Sequence, residues 1–573
     1  MDYRENYRYW LEDDYFDEAT KAELRALEGN DAEIEERFYK DLEFGTGGLR
    51  GIIGAGTNRM NIYTVRKATQ GLANYIKKQG AQKKGVAIAY DSRRMSPEFA
   101  DEAALCLNAN GIGAYVFPSL RPTPELSYAV RALKCTAGIV VTASHNPPEY
   151  NGYKVYWEDG AQVTSPKDKD IVAEAAAVKD YHDVLTMSKE EAIAGNLYHV
   201  ISEDIDDSYI AELKKQIIHP EIIREVADDI RIVYTPFHGT GNLPVRRILK
   251  ELGFKNVYVV PEQELPDPDF TTLEYPNPED PKAYTLALKL AKEKDADVIL
   301  ATDPDADRLG IYAKDTATGE YVPFTGNMSG MLIAEYILRE KKKMGTLPKN
   351  GAMVKSIVTT NLTNALAKSY GMKLFTVLTG FKYIGEKIKE FEETGSNSYV
   401  FGLEESYGCL VGTHARDKDA VVAVMCLCEV AAFCKKQGIT VWDQMQRIYA
   451  EHGFYAEGIH TLTLKGIEGA AKITAIMDQF RNNPPKQIGS LKVRRLLDIQ
   501  KDKVIDFETG AETKSGYPAS NVLYFELEND SWCCLRPSGT EPKLKFYIGV
   551  KGESLEDMKQ KLEVQKEALI GMI

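Results

Sequence analysis

Long apolar runs are missing from this chain: no stretch of its 573 residues approaches the ~18 that a membrane-crossing helix needs, which excludes a helical membrane span. The opening Met1-Asp2-Tyr3-Arg4-Glu5 is acidic and polar and lacks the apolar core of a signal peptide. Cysteine occurs eight times but never in paired metal-binding spacing. Cys426-x-Cys428 and the adjacent Cys533-Cys534 lie in apolar runs and read as buried thiols of a reduced, cytoplasmic protein. Basic charge is in deficit, with 71 Lys and Arg against 85 Asp and Glu and a net charge of −14. Phosphate backbones are bound by basic surface, so nucleic acid is excluded as a general partner. An anionic substrate must instead meet positive charge concentrated in a local cleft. There is no G-x-x-x-x-G-K-[ST] phosphate loop, no G-x-S-x-G nucleophile elbow and no low-complexity tail.

What is present is an alternation of strand-like and helix-like stretches. A chain this long exceeds one core, and three to five domains of ~100–200 residues are expected. The first forty-odd residues are rich in Glu, Ala, Leu and Tyr at helical spacing and read as two surface helices. After the glycine-dense Phe44–Gly51, the run Val86-Ala87-Ile88-Ala89-Tyr90 precedes Asp91-Ser92-Arg93-Arg94 and a helix. The rhythm returns from Ile230 through Thr235-Pro236-Phe237-His238-Gly239-Thr240-Gly241, and again from Met353. Strands alternating with helices at this spacing imply α/β domains with mixed or parallel sheets. The last ~120 residues, with short alternating strands such as Val522–Leu527, predict a smaller α+β domain. The expected division is 1–205, 206–325, 326–450 and 451–573.

Four stretches carry chemistry. Gly138-Ile139-Val140-Val141-Thr142-Ala143-Ser144-His145-Asn146-Pro147 is a buried strand ending in a turn that presents a hydroxyl. Serine is a poor nucleophile unless a base or a charge-neutralised phosphoryl donor assists it. His145 is adjacent, but neighbours in a turn ordinarily point apart, so no catalytic triad is expected; a plain turn-capping role for Ser144 competes on equal terms. Asp297–Arg308 is a second buried strand, ending in Asp303, Asp305 and Asp307. On extended backbone, alternate spacing turns three carboxylates toward one point, and such oxygens suit Mg²⁺. An EF-hand is excluded, because Arg308 stands where its glycine belongs and Lys314 where its bidentate acid belongs. Strand C-termini in open α/β sheets are where ligands bind. Glu404-Glu405-Ser406 pairs carboxylate with hydroxyl, as a polyol site would. Arg536-Pro537-Ser538-Gly539-Thr540 has the composition of a phosphate cradle.

In this order and spacing the four stretches resemble the α-D-phosphohexomutase superfamily, most closely its phosphoglucomutase branch, over nearly the whole chain. Gly45–Arg50, Asn151–Lys154, Thr379–Lys382 and Arg416–Asp419 match family segments as well. The resemblance implies four domains around a central cleft, three related α/β domains and a smaller C-terminal α+β domain. It also implies a phosphoserine that donates to a sugar monophosphate, passing through a bisphosphate that reorients. On the matching positions, Ser144 carries the phosphoryl group, and Asp303, Asp305 and Asp307 hold Mg²⁺ against it. Arg50, Lys154, Arg308 and Lys418 line the reacting centre beside His145, with Lys154 or Lys418 moving the proton. Glu404 and Ser406 bind the sugar and Lys382 its phosphate, while Arg536, Ser538, Gly539 and Thr540 hold the non-reacting phosphate. Family members often have glycine where this chain has Pro304, Ala306 and Leu403, and none of these changes removes a ligand. The expected activity is interconversion of glucose 1-phosphate and glucose 6-phosphate, with glucose 1,6-bisphosphate as intermediate and activator. Phosphomannomutase, phosphopentomutase and glucose-1,6-bisphosphate synthase are the enzymatic alternatives. A sugar-phosphate binding protein is the non-enzymatic one, and it would have little use for Ser144 or the aspartates.

Overall fold

The computed structural model describes residues 2–43, 48–464, 466–538 and 543–573. Its first segment corrects the expectation of two surface helices. Three helices form, Tyr3–Glu12, Glu18–Arg25 and Asp31–Phe38. Asp17 and Asn30 cap the second and third by accepting backbone N–H groups. Their apolar faces close on an aromatic cluster of Trp10, Phe16 and Phe38 with Tyr63 and Tyr181. Trp10 is fully buried and stacks on Phe16 at 4.3 Å between ring centroids. Helical spacing alone could not reveal this core, because two of its rings come from distant parts of the chain.

Three mixed sheets follow, as the alternating pattern predicts. The first runs in the order Gly48–Ile52, Tyr150–Trp157, Ala137–Val141, Val86–Tyr90, Ala114–Val116, Tyr198–Val200. The second is Tyr321–Phe324, Leu309–Lys314, Val298–Thr302, Arg231–Thr235, Asn256–Val259. The third is Lys373–Val377, Gly351–Ser356, Ser398–Glu404, Gly408–Val411. In each, one buried strand is parallel to a neighbour on one side and antiparallel to the next strand in sequence on the other. These three hairpins end in the turns that carry Ser144, the aspartates and Ser406. The strands Ala137–Val141 and Val298–Thr302 are buried along their whole length, as near-continuous Val, Ile, Leu and Ala runs require when both sheet faces are covered.

The C-terminal region forms a fourth, antiparallel sheet around Phe454–Thr463, Lys543–Gly552, Trp532–Pro537 and Leu523–Leu527, covered by the helices Gly466–Asn482 and Leu555–Ile570. The second and third domains share one continuous core in which Leu300, Met331, Phe401 and Leu427 pack together. Through it runs the helix Ala420–Lys436, apolar on almost every face and carrying Cys426 and Cys428. All eight cysteines are unpaired and buried. Among the described residues no helix is long and apolar enough to cross a membrane.

The third and fourth domains meet at a buried polar joint. Asn327 Nδ2 donates to Glu457 Oε2 at 3.0 Å, and Lys355 Nζ donates to the Thr359 and Thr360 carbonyls, each at 3.2 Å. Burial pushes the Glu457 carboxyl up to about 7 and the Lys355 ammonium down to about 8. A raised carboxyl stabilises the fold fully below its ordinary 4.5, and that contribution is lost as pH rises through about 7. The replacement Glu457→Gln is therefore expected to gain stability relative to the parent as pH rises from about 5 to about 8. Thermal unfolding of both proteins at the two pH values checks this, and a difference that does not change with pH would contradict the burial of this charge.

Candidate active site

The Ser144 hydroxyl is buried and donates to Asp303 Oδ2 at 2.7 Å, although 159 residues separate the two in sequence. Ser144 takes a left-handed backbone conformation, with φ +51°. That twist brings the next side chain back toward the hydroxyl, and His145 Nδ1 lies 3.1 Å from Ser144 Oγ. The expectation that adjacent side chains in the turn would point apart is thus not met. The imidazole is kept neutral: burial, then the nearby Arg308 and Arg50 charges, push it well below its ordinary range. Arg50 Nη1 donates to Asn146 Oδ1 at 3.2 Å and so lies against the same turn.

The three aspartates converge, with one carboxylate oxygen from each within 4.8 Å of the others. The reason differs from the sequence expectation. Residues 303–308 form a tight hairpin turn rather than extended chain, and Ala306 takes the left-handed conformation, φ +50°. Such a position favours glycine, and here an alanine fills it. Asp303 Oδ1 accepts the N–H groups of Asp307 and Arg308 at 3.1 and 3.0 Å. Asp305 Oδ2 takes Lys154 Nζ and the Thr123 hydroxyl, both at 2.9 Å. Lys418 Nζ lies 3.1 Å from Asp307 Oδ2 and 3.1 Å from Asp417 Oδ1.

Electrostatically the triad is divided. Burial, and then the Asp305 and Asp307 charges, raise Asp303 well above the carboxylate range. Burial works against ionised Asp305 too, but Lys154 outweighs it and holds that carboxyl well below the range. Lys154 and Lys418 are both raised despite burial, because they face these carboxylates. The Oδ1 atoms of Asp305 and Asp307 are buried without a hydrogen-bond partner. Unsatisfied buried anionic oxygens are costly unless a cation meets them. Hard oxygen donors on a rigid turn, with a serine oxygen beside them, fit a divalent cation of the Mg²⁺ type.

Glu404 and Ser406, expected to meet the sugar, are placed by the third hairpin. Glu404 is buried and accepts the Gly380 N–H at 2.6 Å; burial raises it while Lys418 and Arg308 oppose. Ser406 sits at the hairpin turn, half-buried. Lys382 is buried 4.0 Å from Asp168 Oδ2, and burial lowers it. Arg536 is half-buried on Trp532–Pro537, and the Ser538 N–H closes that hairpin on the Lys543 carbonyl at 2.8 Å. Gly539 and Thr540, like Gly45-Thr46-Gly47, lie outside the described residues. Lys545, opposite Arg536 in the strand register, was not singled out from the sequence. Burial, and then Arg536, lower its ammonium, while Glu279 and Glu405 pull it the other way. Thr123 and Asp417 were also missed. Thr123 opens a helix after Pro122 and grips Asp305 with both its N–H and its hydroxyl. Asp417 takes the Tyr156 hydroxyl at 2.7 Å and backs Lys418; its place inside Arg416–Asp419 was the available signal.

Comparison with known proteins agrees with this geometry. Models of the phosphoglucomutase/phosphomannomutase α/β/α domains I, II and III match residues 41–182, 207–318 and 325–452. Phosphoglucomutase from Staphylococcus aureus strain MRSA252 is 36% identical over 535 residues, covering 93% of this chain and 94% of that protein. The chain belongs to the phosphoglucomutase/phosphomannomutase family. It is accordingly an enzyme of the mutase class, a phosphotransferase that isomerises. The fold is shared with pp63/parafusin, a phosphoglucomutase from Paramecium in its open form: TM-score 0.67, 20% identity, covering 92% of this chain and 95% of that one. A phosphoglucomutase/phosphomannomutase family protein from Burkholderia thailandensis gives TM-score 0.62 at 20% identity, covering 91% and 97% of the two chains.

The crowding of three carboxylates predicts opposing effects of one substitution. Asp303→Asn keeps the shape of the side chain and replaces a carboxyl whose ionisation burial and its two neighbours oppose with a group that never ionises. In EDTA the variant is expected to melt higher than the parent, by about 1–2 kcal/mol of stability. Added Mg²⁺ should raise the melting temperature of the parent but not of the variant. A parent that shows no upward shift with Mg²⁺ would contradict the cation site.

Proposed function

We propose that the protein interconverts α-D-glucose 1-phosphate and D-glucose 6-phosphate in the cytoplasm, with Ser144 carrying the phosphoryl group. The observation that carries this reading is the 2.7 Å contact between the Ser144 hydroxyl and the aspartate triad of another domain. It is supported by the 36% identity to a phosphoglucomutase over most of the chain. Phosphorylated Ser144 meets a hydroxyl of the sugar monophosphate. The sugar oxygen bonds to phosphorus as the Oγ–P bond breaks, which yields glucose 1,6-bisphosphate and free serine. After the bisphosphate turns end for end, Ser144 takes the other phosphoryl group, and the enzyme returns to its starting state. Mg²⁺ on Asp303, Asp305 and Asp307 would supply neutralising charge at the transferring group.

The chain's own residues do the rest. Lys154 and Lys418, held as ammonium groups by the carboxylates they face, provide fixed positive charge at the reacting centre. Arg308 and Arg50 add to it. The neutral imidazole of His145 is the proton-exchanging group beside Oγ. Glu404 and Ser406 orient the sugar hydroxyls, and Lys382, Arg536 and Ser538 hold the phosphate that is not reacting. Such a division suits a reorienting intermediate, since one anion cradle must accept either phosphate in turn.

A coupled assay with glucose 1-phosphate, Mg²⁺ and a trace of glucose 1,6-bisphosphate is expected to release glucose 6-phosphate. Mannose 1-phosphate and ribose 1-phosphate run beside it rank the substrates. Ser144→Ala should retain the fold by circular dichroism and lose turnover by at least ~10⁴-fold. Well-folded parent protein that turns over none of the three sugars would instead support a binding protein.

A further inference from the structure

Ser144 is held in a backbone conformation that its own chemistry disfavours. A non-glycine residue in the left-handed region is strained, and it persists only where its surroundings over-determine it. One buried ion pair does this. Asp91 and Arg93, in the turn after the strand Val86–Tyr90, have fully buried side chains 3.2 Å apart. Asp91 Oδ2 accepts the Thr142 hydroxyl at 2.7 Å, and Thr142 Oγ1 accepts the Ser144 N–H at 2.8 Å. Arg93 donates to the Ser144 and Asn146 carbonyls. It also donates to the carbonyls of Pro147 at 2.7 Å and Tyr150 at 3.1 Å. Both backbone polar groups of Ser144 are therefore tied to the same pair, one through Thr142 and one directly.

The guanidinium also reaches the second domain. Its carbon lies 5.0 Å from the ring centroid of Phe270, a fully buried side chain. Phe270 is presented by a turn that Asp267 organises, accepting the Asp269 and Thr271 N–H groups at 3.0 and 2.8 Å. Arg94 forms an ion pair with Asp269 of that turn. One four-residue segment, Asp91–Arg94, thus sets the shape of the serine turn and docks it on the domain that supplies the aspartates.

We propose that Arg93 is a positioning residue for phosphoryl transfer, clamping the turn at Ser144 so that Oγ faces Asp303 across the domain boundary. The inference rests on the phosphoserine reading above. Arg93 acts through the serine turn and its seat on Phe270 and touches neither Glu404 nor Arg536, so the proposed sugar and phosphate contacts there are left in place by its loss. Misplacing a reacting atom by about 1 Å costs on the order of 100-fold in rate.

Arg93→Met leaves Asp91 as an unpaired buried charge and can prevent folding, so the decisive protein is the double variant Asp91→Asn/Arg93→Met, which removes both charges. Its rate of Ser144 phosphorylation by glucose 1,6-bisphosphate is measured in a single turnover by intact mass, and its steady-state kcat and KM beside it. The expected result is a fall of about 100-fold in both the transfer rate and kcat, with KM within about twofold of the parent. Arg93→Lys, which keeps the charge and one donor, should restore part of the rate. A folded double variant with kcat close to the parent's would overturn the proposal. So would a KM that rises in step with the loss of kcat, the mark of general distortion. A parent protein inert on every sugar phosphate would remove the phosphoserine reading itself, a separate outcome, because no variant would then have a rate to lose.

Discussion

Three buried carboxylates on one short turn, facing a serine hydroxyl from a different domain, are the constraint around which this molecule is organised. Asp303, Asp305 and Asp307 concentrate more negative charge than a protein interior holds unaided. The surroundings answer with Lys154 from the first domain and Lys418 from the third. Arg308 comes from the same turn, 3.7 Å from Asp307 Oδ1. Two carboxylate oxygens still lack a hydrogen-bond partner, and a buried group of this kind could hold a divalent cation. A chain of net charge −14 thereby gathers positive side chains locally around this turn.

The architecture repeats one device. In each α/β domain a fully or largely buried strand turns back on itself as an antiparallel hairpin. The two strands of each hairpin are locked in a sheet, so a residue in the turn between them can be strained without being loose. Ser144, Ala306 and Tyr407, one in each hairpin turn, all have positive φ, at +51°, +50° and +68°. Rigid strands on both sides of each turn make such conformations tenable.

What the sequence disclosed followed from how local each feature is. The aspartate triad and the serine turn were legible because each is contiguous and sits behind an unmistakable apolar run. The mixed sheets were legible from the strand–helix rhythm, and the buried thiols from their apolar neighbours. The orientation of His145 was not, because it depends on a left-handed φ at Ser144 that no residue-type preference announces. Thr123 and Arg93 were not, because their roles lie in contacts 182 and 51 residues away in sequence. The N-terminal aromatic core was hidden for the same reason, since Tyr63 and Tyr181 complete it from far along the chain. Tertiary contacts of this kind leave no local periodicity to read.

Convergence of serine and aspartates on one cation is the claim beneath everything else, and anomalous diffraction from crystals grown with Mn²⁺ tests it most directly. One peak is predicted within coordinating distance of Asp303, Asp305 and Asp307 and next to Ser144 Oγ. An empty triad at saturating Mn²⁺, or a peak bound elsewhere while the triad stays bare, would contradict it.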